Sequence, residues 1–264
     1  MIMKNMIRSL LYEIRKNRSL KLAFIGLILI NILLVFINIG ENSFYEESGS
    51  AMLAEGKSFS YMMGMYFVLF AVAMIAGGDF KDKVINYEVM SGHSRLSIFM
   101  ARNIIAILVA SIGGMILSFV PLVASCIGWG FGNRLVLSDV ILRTFLYLFP
   151  FIRIAALFSM FTFLIKNQYA MLGIGYGIIS FCLVTSGTVK DHTNFFTAMF
   201  NLNLLSGFNG WSVYNISNLR GLVTYAAFDS SVTVKMVAGT VIISLIATGI
   251  YLLLGYALFR RDEL

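Results

Sequence analysis

Apolar residues in this chain run in long unbroken stretches, with no strand-like alternation. Six runs reach the length of about 20 residues that a helix needs to cross a bilayer. They are roughly Leu20 to Ile39, Phe59 to Ala76, Ser97 to Trp129, Val140 to Ile165, Tyr169 to Ser186 and Val234 to Phe259. The third is long enough to tilt, and the fourth contains Pro150. Ahead of them Met3, Met6, Ile7, Leu10, Leu11 and Ile14 recur at helical spacing, with Lys4, Arg8 and Arg15 on another face. This predicts an amphipathic helix over residues 1–19. It lies in the membrane interface against anionic headgroups or packs on a partner protein. The polar stretch 78–96 predicts a short helix from Asp79 to about Glu88, a break at Ser91-Gly92 and a restart near Ser94. Residues 187–233 are too many for a simple turn and predict an outer segment, either re-entrant or a surface helix with an aromatic belt. The expected fold is a single all-α membrane domain over 1–264, with six transmembrane helices.

Composition supports a membrane class. Of 264 residues, 59% are hydrophobic and 12% charged, against about 25% charged in soluble domains. The first twenty residues lack a continuous apolar core, so no cleavable signal peptide is expected. Lys and Arg placement sets the orientation. With the N-terminus inside, thirteen fall on the cytoplasmic side: Lys4, Arg8, Arg15, Lys16, Arg18, Lys21, Lys81, Lys83, Arg95, Arg102, Lys166, Arg260 and Arg261. Five fall outside: Lys57, Arg134, Lys190, Arg220 and Lys235. Both termini are therefore expected in the cytoplasm, with Arg260 and Arg261 anchoring the last run as Lys4, Arg8 and Arg15 anchor the first helix. The first outer loop is acidic, with Glu41, Glu46, Glu47 and Glu55.

Most chemical motifs fail on spacing or place. The cysteines, Cys126 and Cys182, lie inside apolar runs and read as small buried hydrophobes. His93 and His192 are far apart, so no metal site is expected. Gly49 to Ser58, GSAMLAEGKS, places six residues between its first glycine and Gly56-Lys57, where a phosphate-binding loop needs four. No nucleotide site is expected. The ending RRDEL resembles a lumenal retention signal, but the charge rule puts it in the cytoplasm. No run carries Asp or Glu at membrane depth, which argues against an ion-coupled carrier. Arg153 does lie at depth, three residues after Pro150. It either contacts an anionic group or carbonyl of a transported molecule, or makes a buried ion pair or a bond to a carbonyl freed by the proline. Arg143 stands one turn after Asp139 and reads as half of an exposed pair.

The stretch from Gly77, GGDFKDKVINYEVMSGHSRLSIFMARN, concentrates charge in a chain short of it. Phe80, Val84 and Tyr87 share one helical face, and Ile85 and Val89 the opposite one. This suits a segment held between the membrane and a second protein; a solvated loop is the plainer alternative. The wording, with Ser94-Arg95 after the glycine, resembles the membrane subunit of ABC-2 type permeases of ATP-binding-cassette transporters. So do the ending YALFRRDEL and the six-run layout with a long last outer segment. The resemblance covers nearly the whole chain. It implies an interfacial first helix and a cytoplasmic coupling helix over 78–96 that sits on a separate ATPase. Asp79, Lys81, Asp82, Lys83, Glu88, His93, Ser94 and Arg95 would form that contact. It also implies short outer helices over 187–233, a second permease subunit, expected as a homodimer, and two ATPase copies that bind the ATP and magnesium. This chain itself needs no cofactor and is not expected to be an enzyme or to bind nucleic acid.

Small members of this kind resemble bacterial exporters of bacitracin-like and lantibiotic peptides and of phenol-soluble modulins. The expected cargo is an amphipathic or antimicrobial-type peptide or another hydrophobic molecule. Tyr61 and Met65, with Arg153, are candidates for the translocation path, although Met and aromatic stripes also serve plain packing. The competing class is a non-transporting sensor or assembly subunit that uses the same ATPase contact. An intramembrane enzyme lacks the His cluster, acid pair or Ser–His arrangement it would need.

Overall fold

The computed structural model describes residues 2–39, 49, 59–81, 84–133, 136–188 and 234–261. Among these the regular structure is helical throughout. The helices are α1 (Ile2–Lys16), α2 (Arg18–Ile39), α3 (Phe59–Lys81), α4 (Val84–Met90) and α5 (Arg95–Trp129). They continue with α6 (Leu137–Leu146), α7 (Leu148–Ile165), α8 (Gln168–Thr188) and α9 (Val234–Arg261). Among the described residues four stretches are long and apolar enough to cross a membrane: Arg18–Ile37, Arg95–Trp129, Val140–Ile165 and Thr240–Arg260. Helices α3 and α8 occupy the second and fifth apolar runs. Most of the expected outer segment, from residue 189 to 233, lies outside the described residues.

Local chemistry explains the boundaries. Asn17 closes α1 through its N–H to the Glu13 carbonyl at 2.9 Å. It then opens α2, its Oδ1 accepting from Leu20 N–H at 3.1 Å. Ser94 caps α5, its Oγ accepting from Ser97 N–H at 3.2 Å. The fourth apolar run breaks at Tyr147 into α6 and α7, where an unbroken run was expected. Pro150 consequently sits in the first turn of α7, where a missing N–H costs no helical bond. At the other end of α7, Lys166 takes a left-handed backbone, φ 54°. Its N–H reaches the Thr162 carbonyl at 2.9 Å. Asn167 Oδ1 caps α8 by accepting from Tyr169 and Ala170 N–H groups at 2.9 and 3.2 Å.

Helices α3, α5 and α7 form the centre. A Cβ added at Gly64 would stand 2.6 Å from the Phe151 ring and 2.9 Å from the Gly114 carbonyl, so the two backbones meet directly there. The Phe67 ring lies against Gly113 and packs edge-on to Phe24 of α2 at 5.1 Å between centroids. Toward the end of the bundle that carries Arg95, Lys166 and Arg260, aromatic rings join four helices. Phe99 of α5 lies 4.8 Å from Phe163 of α7. Phe163 in turn lies 5.4 Å from Phe80 of α3 and 5.3 Å from Phe259 of α9. Beside them Asn103 bonds back to the Phe99 carbonyl at 2.8 Å and accepts from the Ser159 hydroxyl.

Candidate functional site

The site is the short helix α4 with its flanks, resting on that aromatic cluster. The segment differs from expectation in where it starts. Asp79 to Lys81 form the last turn of α3, and the separate helix begins at Val84. Phe80 is engaged by Phe163, which holds this turn to the membrane bundle. The break is where the sequence puts it: Ser91 and Gly92 make a turn, with Gly92 at φ 89°. Ser91 Oγ donates to the Glu88 carbonyl at 2.8 Å, and His93 N–H reaches the same carbonyl at 3.2 Å.

Two polar ties fix the segment. Glu88 Oε2 lies 2.9 Å from Arg102 Nη2, two turns into α5. The Arg102 side chain is 1% exposed and that of Glu88 26%. Glu88 thus spends its charge inward. Loss of hydration raises its carboxyl above the ordinary value; His93 opposes that shift and Glu13 of α1 adds to it. Arg95 Nη1 donates to the Arg260 carbonyl at 3.2 Å, joining the start of α5 to the end of α9.

The outward side of the segment is apolar. Ile85 is buried, while Tyr87 is 67% and Met90 81% exposed, with Leu96 half-exposed nearby. A helix anchored by Ile85 and Glu88 and showing Tyr87 and Met90 has one side for the bundle and one for a partner. The sequence pattern had set Tyr87 with Phe80 and Val84. It did not single out Met90 or Arg102, although a cation inside an apolar run is the signal that marks Arg102. Asp79 and Lys81 side chains, and Asp82 and Lys83 altogether, lie outside the described residues.

The other candidates separate from this site. In α1 the apolar stripe is used within the chain: Met6 and Leu10 are buried, with Ile7 and Ile14 packed against the same core. The exposed face carries Arg8, Leu11, Tyr12 and Arg15, and Lys16 Nζ sits 4.7 Å over the Tyr12 ring. Arg260 is exposed at the end of α9; the side chains of Lys4 and Arg261 lie outside the described residues. Met65 is fully buried in the core and faces no open surface, and the Tyr61 side chain lies outside the described residues. Arg153 is 5% exposed. Met160 of α7 stands beside Gly255 of α9. Tyr251 of α9 lies within reach of the Arg153 charge. Among the described residues no cluster of His, Cys, Asp or Glu is placed to hold a metal. No protein-family model matches the sequence, and no curated protein matches it.

Proposed function

We propose that the chain is the membrane permease subunit of an ATP-driven exporter and that residues 78–96 dock a separate cytoplasmic ATPase. The observation that carries this reading is the two-sided build of α4, with Glu88 tied to a buried Arg102 and Tyr87 and Met90 turned outward. An ATPase seated on Tyr87, Met90 and Leu96 covers an apolar patch beside basic Arg95. Its movement reaches α5 through Glu88 and α9 through Arg95. In this reading α2, α3, α5, α6–α7, α8 and α9 make six crossings, with both termini in the cytoplasm. Two copies of the chain pair over two ATPase subunits, which bind the ATP and magnesium. The cargo is an amphipathic or hydrophobic molecule such as an antimicrobial-type peptide.

The test is gentle extraction from the native cell, followed by mass spectrometry of copurifying proteins. A stoichiometric soluble ATPase is expected. Met90→Glu is expected to reduce its recovery about tenfold or more, as loss of an interface anchor does, with the thermal stability of the chain unchanged. Met90 is a cleaner probe than Arg95, whose guanidinium also holds α9. An intact, monodisperse chain with no ATPase would sink the reading. Captured ATPase without transport in reconstituted vesicles would favour a sensor or assembly subunit.

A further inference from the structure

We propose that the outward face of α1, continued by the start of α2, is a docking surface for anionic phospholipid headgroups. This goes beyond the exporter reading. It requires that α2 crosses the bilayer and is independent of any ATPase. An amphipathic helix ordinarily reaches a membrane through its apolar stripe. In α1 that stripe is already used, with Met6 and Leu10 buried in the chain's own core. The opposite side of α1 is what remains for the surroundings. Arg8, Leu11, Tyr12 and Arg15 are all exposed and recur at spacings of three and four, so they share one helical face. Lys16 joins this face at its edge, its Nζ 4.7 Å over the Tyr12 ring.

Helix α2 sets the depth of this face. Leu22, Ile25, Leu29, Leu33 and Phe36 are exposed at spacings of three and four, one stripe along α2. A spanning helix turns such a stripe to hydrocarbon. Arg18 is exposed on the same stripe, one turn before Leu22 and so about 6 Å from it along the axis. That is headgroup level, where basic and aromatic side chains anchor helices. Only Asn17 separates Arg18 from the end of α1. Charge then names the occupant. Arg8, Arg15, Lys16, Arg18 and Lys21 are all exposed, and Glu13 is the one acid between residues 2 and 39. An acidic protein would answer the charge alone. A lipid answers both parts, its tail along Leu22 and Ile25 and its phosphate at the cations.

The test is native mass spectrometry of the full-length chain in detergent micelles, with no ATPase present. The chain is titrated with phosphatidylglycerol or with phosphatidylcholine of the same acyl chains. Phosphatidylglycerol is expected to be retained and phosphatidylcholine to be lost. Arg15→Gln, Lys16→Gln and Arg18→Gln in one chain are expected to weaken phosphatidylglycerol binding about a hundredfold, at about fivefold per charge. The melting midpoint should not change, since all three side chains are exposed. Glu13→Gln is expected to strengthen binding about fivefold, a gain that can be read even if the triple variant does not fold. Equal retention of the two lipids, undiminished phosphatidylglycerol binding in a folded triple variant, or no gain in Glu13→Gln would overturn the proposal. A triple variant that keeps its lipid but loses a copurifying acidic protein would also overturn it and give the face to a protein partner. Failed ATPase capture with the lipid results intact would count against the exporter reading alone.

Discussion

Helices α2 and α5 are both apolar enough to cross a bilayer, yet they place their residues in opposite ways. Helix α2 turns Leu22, Leu29, Leu33, Phe36 and Ile37 to the outside. Helix α5 buries Arg102, Asn103, Ser111, Ser118 and Ser125. Even in α2 a polar side chain, Asn31, is fully enclosed. In water the apolar side would be hidden. Where hydrocarbon is the solvent, a leucine gains little by leaving it, and polar and small residues mark the protein-facing side instead. The pattern tells which helix is central: α5 carries the polar face and the glycine seam, while α2 covers it from one side.

The sharpest way to break this comparison is to remove the charge at its centre. Arg102→Ala is expected to cost about 3–5 kcal/mol, because it takes away one partner of a largely buried pair. Thermal unfolding of the purified chain in detergent would show this, and a near-native midpoint would mean that the polar face of α5 is not structural. Gly64→Ala comes next. Its methyl would press on the Gly114 carbonyl and the Phe151 ring, forcing α3 and α5 apart at a cost of about 1–3 kcal/mol; the same unfolding experiment reads it. Leu22→Ala should change stability by less than about 0.5 kcal/mol, since its side chain is 70% exposed. A larger loss there would reveal a protein contact on α2.

The sequence made the helices legible and their faces only in part. Long apolar runs announce α2, α5 and α9, and the Ser94 cap and the Ser91-Gly92 turn announce the edges of the α4 segment. These signals are local, carried by side chains that bond to their own backbone. The break at Tyr147 was hidden because apolar residues continue on both sides of it and the turn uses no glycine. The Glu88–Arg102 pair was hidden for a different reason. It joins residues fourteen apart across a reversal, and spacing says nothing about which of several nearby cations a carboxylate will meet. The stripe of α1 was visible, but periodicity identifies a buried face without naming what covers it. Here Met6 and Leu10 pack into the chain's own core.

The corner between α7 and α8 has a mechanical consequence. Only Lys166 and Asn167 join the two helices, a link that spans about 10 Å from Ile165 to Gln168 when fully stretched. Both residues are held, Lys166 to the end of α7 and Asn167 to the start of α8. The corner therefore behaves as a rigid crank rather than a hinge. A displacement of α7 along its axis would therefore be passed on to α8 through this short capped link.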